Sequence, residues 1–308
     1  MSLLPVGVGD REEQRVFLHD YASFLEHFPC LKQVAERVFC RKLESPPQSE
    51  IDRLLALGND NAPEVIDFEN RIMADRIVFF LGRIALDDFG EVLILVGNGR
   101  GIGAYKILRG MYERVVTATF LDANPASARP FALDSDVQKM KLAARLKQVG
   151  IDLLGNLSDT EREAMERRAG KAISQRKTVI CNRCKQPIVQ SEWTLKSLDE
   201  MAKVNPHLAG LYGPCYVEPT NHHHATSFGL ERRLRALPGG GYEYNVGDYR
   251  RESRKALLFA HNLLLQNLAL QNARFDLQLD SELQVCVDAF KEIWDSVDKA
   301  AHGDQQPA

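Results

Sequence analysis

The stretch Glu91-Val92-Leu93-Ile94-Leu95-Val96-Gly97-Asn98-Gly99-Arg100-Gly101-Ile102-Gly103 decides the fold class together with the adjoining Ala104-Tyr105-Lys106-Ile107-Leu108-Arg109-Gly110-Met111-Tyr112-Glu113. Taken alone, an apolar run closed by spaced glycines fits a strand entering a phosphate-binding turn. There glycine lets backbone N–H groups approach a pyrophosphate at a helix N-terminus. An acid, Asp122, stands about 20 residues further on, where a ribose-binding carboxylate would fall. The residues after the glycines argue for a different structure. Ala104, Ile107, Leu108, Met111, Val115 and Ala118 recur at three- and four-residue spacing, the period of a helix, with no glycine to separate a first helix from a second strand. The spacing predicts one helix over residues 104–120, in which packing overrides the β-branched residues of Val115-Val116-Thr117-Ala118-Thr119. The glycine run then reads as a kink or a close contact between two helices.

Two further features oppose an NAD(P)-binding dehydrogenase built on the 97–103 glycine run. Two long helical patterns precede residue 90, where a first parallel strand should stand. No Tyr-x-x-x-Lys pair comes later to supply a general acid. The dehydrogenase is a minor alternative.

Outward from the centre, the helical period dominates. Val16, Phe17, Tyr21, Phe24, Leu25 and Phe28 form a stripe that Pro29 is expected to stop and that Leu31, Val34, Val38 and Phe39 resume. Ser45-Pro46-Pro47-Gln48 separates this arm from a long pattern that begins at Pro63. Ser135 with Gln138, and Ser158 with Glu161, have the spacing of capping boxes. Two places depart from the pattern. Thr178 to Gln190 has the β-branched residues and turn of a small hairpin, and Pro238-Gly239-Gly240-Gly241-Tyr242-Glu243-Tyr244 reads as a loop or short ribbon. Two long helices close the chain, one around Leu257, Leu258, His261, Leu264 and Leu268, the other around Leu283, Val287, Phe290, Trp294 and Val297. The expectation is an all-α, multi-helix bundle-like single domain with a small cysteine-bearing β-hairpin insert. Its parts are an N-terminal helical arm at 1–60, a main domain at 61–302 with the insert at about 177–192, and a disordered tail at 303–308.

Composition narrows the partners. In 308 residues, 39 Lys and Arg stand against 42 Asp and Glu, a formal charge of −3, so no bulk field draws the chain to nucleic acid or anionic lipid. Apolar runs such as Leu93–Val96 fall far short of the about 20 residues that span a bilayer, and Met1-Ser2-Leu3-Leu4-Pro5-Val6 lacks the basic start of a secretory signal. A cytoplasmic protein without a membrane partner is expected, its six cysteines reduced. Cys30, Cys40 and Cys286 fall on apolar stripes and read as core residues.

The helix Ala104 to Glu113, with an apolar stretch and the short loop Asp122 to Pro125 after it, resembles the Arg-x-x-x-Glu helix of an uncharacterised bacterial family, domain of unknown function 5677. Trp193-Thr194-Leu195-Lys196-Ser197-Leu198-Asp199-Glu200-Met201-Ala202, then Tyr212, Tyr216, Thr220 and His224, resembles its second signature, an aromatic-spaced helix ending in Ser/Thr-x-x-x-His. The three consecutive histidines His222, His223 and His224 leave open which one fills the last position. The resemblance spans roughly residues 70–290 and implies an all-helical intracellular protein without an established activity.

Candidate functional residues emerge from chemistry. Arg109 and Glu113 lie one helical turn apart, with Tyr112 on the neighbouring face. They read either as a structural ion pair or as a polar centre whose guanidinium fork orients a ligand phosphate or carboxylate. Tyr216, Thr220 and His224 are spaced to share one helical face, which should turn toward Arg109 and Glu113. His224 is then the candidate acid or base, and Tyr112, Tyr216 and Thr220 are ligand contacts. Cys181-x-x-Cys184 is half a zinc knuckle that Cys215 and a histidine of the run, such as His222, could complete; inert or redox-active thiols are the alternatives. Arg254 and His261, two turns apart, fit the loose Arg-x4-6-His pattern of HEPN-type ribonucleases, against the plainer reading of a core histidine. Arg232, Arg233, Arg235, Arg250, Arg251, Arg254 and Lys255 form a local basic stretch, diluted by acids, which reads as a solvated face or as a further pointer to RNA. The leading function class is ligand binding or regulation; the alternative is a metal-independent ribonuclease or hydrolase using His224 or His261.

Overall fold

The computed structural model describes residues 11–43, 45–56, 62–174, 176, 178–180, 186–189, 192–223, 227–231, 233–244 and 250–303. Helices dominate them: α1 (Arg11–Asp20), α2 (Ala22–Phe39), α3 (Gln48–Leu55), α4 (Pro63–Gly97), α5 (Gly101–Ala123), α6 (Ala128–Lys147) and α7 (Asp159–Ser174). After a strand pair come α8 (Leu198–Ala202), α9 (Pro206–Gly210), a π-helical segment (Gly213–Val217), α10 (Glu218–His223) and α11 (Ser227–Glu231). A second strand pair leads to α12 (Arg250–Phe275) and α13 (Asp280–Gly303). The protein is all-α, as its periodicity implies. Among the described residues no helix is long and apolar enough to cross a membrane.

The glycine run is a helix–helix turn. Residues 91–97 close α4 and residue 101 opens α5, so neither flank is a strand. Gly99 has φ +67°, the left-handed conformation that glycine adopts without strain, and the Arg100 N–H reaches back to the Leu95 carbonyl at 2.8 Å. This is a helix C-cap, and it overturns the dinucleotide reading. α5 runs unbroken through Val115 and Val116. Its Ala104, Tyr105, Leu108, Met111, Tyr112 and Val116 are wholly buried, and Thr119 returns its hydroxyl to the Val115 carbonyl at 2.9 Å. A helix enclosed on so many sides gains more from packing than β-branching costs it.

The chain forms two compact units. The first holds the described residues within Met1–Glu44, Val78–Phe120 and Ala202–Ala308. In it α2 packs against α12 and α13 through Phe24, Leu31, Val34 and Val38, all buried. Pro29 does not stop this helix, which runs through it to Phe39. One missing amide is outweighed by an apolar face that continues on both sides. Helices α4 and α12 approach at Gly82: the Asn267 amide donates to the Gly82 carbonyl and the Gln271 amide to the Val78 carbonyl, each at 2.9 Å, and both side chains are fully buried. Between α12 and α13, Asn272 accepts from the Leu279 N–H and donates to Asp280, both at 2.9 Å. Strands β3 (Leu234–Ala236) and β4 (Tyr242–Tyr244) pair antiparallel on either side of the glycine run 239–241. Of the three cysteines read as core, Cys286 is buried, Cys30 is half-buried and Cys40, just past the end of α2, is exposed.

The second unit holds the described residues within Ser45–Ile77 and Leu121–Met201. Helices α6 and α7 pack through Val137, Ala169 and Ala172, flanked by Leu133 and Met140. Arg168 pairs with Asp136 at 2.7 Å, and Arg176 pairs with Asp134. Ser158 and Glu161 form the expected capping box: the Glu161 carboxylate accepts from the Ser158 N–H at 2.9 Å, and the Ser158 hydroxyl accepts from the Glu161 N–H at 3.3 Å. Ser135 with Gln138 does not cap, because α6 already begins at Ala128; Gln138 instead donates to Asp134 at 3.0 Å. Strands β1 (Thr178–Ile180) and β2 (Pro187–Val189) pair antiparallel. Cys181 and Cys184, between them, lie outside the described residues.

Candidate functional site

Helix α5 places Arg109, Tyr112 and Glu113 within one turn, and the π segment with its flanks carries Tyr212 and Tyr216 over them. The Arg109 Nε donates to Glu113 at 3.1 Å, and its Nη2 donates to the Tyr216 hydroxyl at 3.4 Å. The guanidinium carbon also lies 4.8 Å from the Tyr216 ring centre, within cation–π range. Tyr112 is fully buried and spends its hydroxyl on the Leu208 carbonyl at 2.9 Å, so it supports the site from beneath rather than facing solvent. Tyr212 and Tyr216 stack with centroids 5.3 Å apart and planes 25° off parallel. Each also contacts the Tyr112 ring at 6.4 Å. The Arg109 side chain is 20% exposed and that of Glu113 41%, so the pair is part-buried but still touches solvent.

The local sequence explains the backbone. Pro214 supplies no N–H, and the Glu218 N–H reaches back five residues to the Gly213 carbonyl, the bond that defines a π turn. Such turns concentrate at functional sites because they re-aim side chains inside an otherwise regular helix. Beyond the turn, Lys255 on α12 holds Glu218 at 3.0 Å.

Of the residues spaced to share this face, Tyr216 lies against Arg109. Thr220 turns its hydroxyl to its own Tyr216 carbonyl at 2.5 Å. His222 is buried with its ring 5.7 Å from that of Tyr105, whose hydroxyl is buried without a partner. His224 and the side chain of His223 lie outside the described residues, so the expectation for His224 falls there. Cys215 is wholly buried, and its thiol pKa is raised by burial first and by Glu218 second. Among the described residues no group of three or more His, Cys, Asp or Glu side chains could hold a metal ion.

His261 sits in an aromatic enclosure. Its ring lies 5.0 Å from Phe290 and 5.4 Å from Phe24, and its Nδ1 accepts from the Trp294 indole N–H at 3.3 Å. Burial pushes its pKa down to about 4, so the ring is neutral near pH 7, and the Trp294 bond leaves the proton on Nε2. With its acceptor nitrogen occupied, His261 has no lone pair to offer as a base. The cavity it lines does not include Arg254.

The Arg109–Glu113 pair was legible from its spacing. The tyrosine stack was visible only as an aromatic repeat, and the Gly213-Pro214 step inside it was the one signal of an irregular turn. The Leu208 carbonyl that anchors Tyr112 left no signal, since any residue carries one.

A profile of a family of unknown function, DUF5677, matches residues 75–242, which contain Arg109, Glu113 and the tyrosine cluster. No curated protein and no solved structure matches the chain.

Proposed function

The chain belongs to DUF5677, a family of unknown function, and on that footing we propose that it is a ligand-binding or regulatory protein whose Arg109 platform receives the carboxylate or phosphate of a small ligand. One observation carries the reading. Arg109 is held in place by Glu113 and by the face and hydroxyl of Tyr216, yet it spends only part of its five-donor fork on them, and it remains in reach of water. A guanidinium already ordered this way loses little further freedom on accepting an anion. The stacked rings of Tyr212 and Tyr216 beside it offer a flat apolar surface to the rest of the ligand. A purely structural pair would use the guanidinium up or seal it.

The test is titration of the native protein with inorganic phosphate and acetate by NMR or calorimetry, with mass spectrometry of small molecules that co-purify. Arg109→Lys keeps the charge and loses the fork, so it should weaken anion binding at least tenfold. Glu113→Gln removes the competing carboxylate and should strengthen it. If both variants bind as wild type does, Arg109 and Glu113 only hold helix register and the proposal is wrong.

A further inference from the structure

The first unit contains a dithiol outside the Arg109 platform. Cys30 on α2 and Cys286 on α13 face each other with sulfurs 3.9 Å apart. They share the wall of a small, largely apolar cleft with room for about one water, lined among others by Phe24, Phe28, Val285 and Ile293. We propose that this pair is a site of oxidative modification, at which a hydroperoxide reaching the half-buried Cys30 leads the two thiols to a disulfide joining α2 to α13.

The geometry favours this pair. A disulfide holds its sulfurs about 2.05 Å apart, and side-chain rotation on two facing helices can close a gap of the size seen here. Each cysteine has the other as its neighbouring thiol. Cys30 is half-buried and reachable, whereas Cys286 is buried. The Cys286 thiol is pushed up to about 12 by burial first and by Cys30 second, so it acts second. Cys30 sulfur attacks one peroxide oxygen: an S–O bond forms, the O–O bond breaks, and the departing alkoxide leaves as the alcohol with the Cys30 proton. Cys286 sulfur then attacks the Cys30 sulfenic acid: the S–S bond forms, the S–O bond breaks, and hydroxide leaves as water with the Cys286 proton. Two thiols have lost two electrons and two protons, and one hydroperoxide has become one alcohol and one water.

The bond would cross-link residues 256 apart in the chain. A loop of that size should raise the melting temperature by roughly 5–10 °C. The experiment treats the full-length native protein with tert-butyl hydroperoxide, then applies non-reducing peptide mapping and thermal melts with and without dithiothreitol. The expected result is a Cys30–Cys286 linked peptide and a higher melting temperature that reductant reverses. Cys30→Ser should abolish both, and Cys286→Ser should leave a Cys30 sulfenic acid that dimedone traps. Should either variant fail to fold, mapping of the wild-type protein decides alone. The inference is overturned if Cys30 is oxidised in native protein without linking to Cys286, if the link appears only in denaturant, or if neither cysteine reacts.

Discussion

Replacing Gly82 by alanine is the sharpest test of how the first unit is held together. A Cβ on Gly82 would lie 2.4 Å from the Gln271 amide nitrogen and 2.8 Å from the Asn267 amide oxygen, distances at which one partner must move. Both amides are fully buried and donate to the α4 backbone, Gln271 to Val78 and Asn267 to Gly82. Their own oxygens already lack partners, so an amide displaced by the new methyl has no second bond to fall back on. Alanine gains about 1 kcal/mol of helix propensity. Against that stand about 1–3 kcal/mol of overpacking and about 1–3 kcal/mol for each buried hydrogen bond left unmade. With one bond lost and the other strained, the net is a destabilisation of about 2–4 kcal/mol. Urea unfolding monitored by circular dichroism should read this as a lower midpoint at unchanged slope, with a melting temperature roughly 5–15 °C lower. Gly90→Ala supplies the control on the same helix, since nothing lies within 4 Å of its would-be Cβ; it should be neutral or stabilising by up to about 1 kcal/mol. Gly82→Ala as stable as wild type would refute the argument that the amides fix the approach of α12 to α4.

The other predictions concern titration and capping. His261 has a folded pKa of about 4 against 6.5 unfolded, so its neutral ring contributes stability that is complete above pH 6.5 and is lost as pH falls to 4, about 3 kcal/mol in all. Asp88 opposes it: burial raises its pKa to about 6 despite Arg114 at 2.7 Å, so the folded state holds the proton more tightly, and Asp88 favours folding at low pH and loses that contribution as pH rises from about 4 to 6. Acid unfolding of wild type should therefore be shallow between pH 6 and 4, and Asp88→Asn should steepen it; equal pH profiles for the two would count against both assignments. Ser158→Ala should cost about 1 kcal/mol by removing the capping box of α7, a loss seen as faster amide exchange in its first turn.

What could be read in the residues was whatever rests on period and spacing. Helix α5 declared itself through Ala104, Leu108, Met111 and Val115, and the Arg109–Glu113 pair through the four-residue step that stacks side chains on a helix. Pro29 and Ser135 misled because each is a local signal that tertiary packing and the earlier start of α6 override. The contacts of Asn267 and Gln271 with α4 were hidden for another reason. Two amides among leucines look polar and exposed until a glycine on another helix, 185 residues away in the case of Gly82 and Asn267, leaves their carbonyl acceptors within reach. Thr220 illustrates the limit of face arguments: a hydroxyl one turn above a carbonyl bonds to its own backbone first.

The π turn at Gly213–Val217 makes the platform depend on arithmetic as well as chemistry. One extra residue in that turn delays the phase of everything after it by about 100°, the angular step of one residue on a regular helix. Deleting a single residue there would let the turn relax to the ordinary period with every side chain type still present. The two changes cancel, so Glu218 would keep its bearing on Lys255 and His222 its bearing on the Tyr105 ring, and only the side chains inside the turn would be re-aimed. Substitutions at Tyr216 can be graded by size and charge, but a change of chain length offers no intermediate. Between Leu211 and Glu218, losing one residue should leave the flanking contacts in place, whereas gaining one would turn them by about 100°.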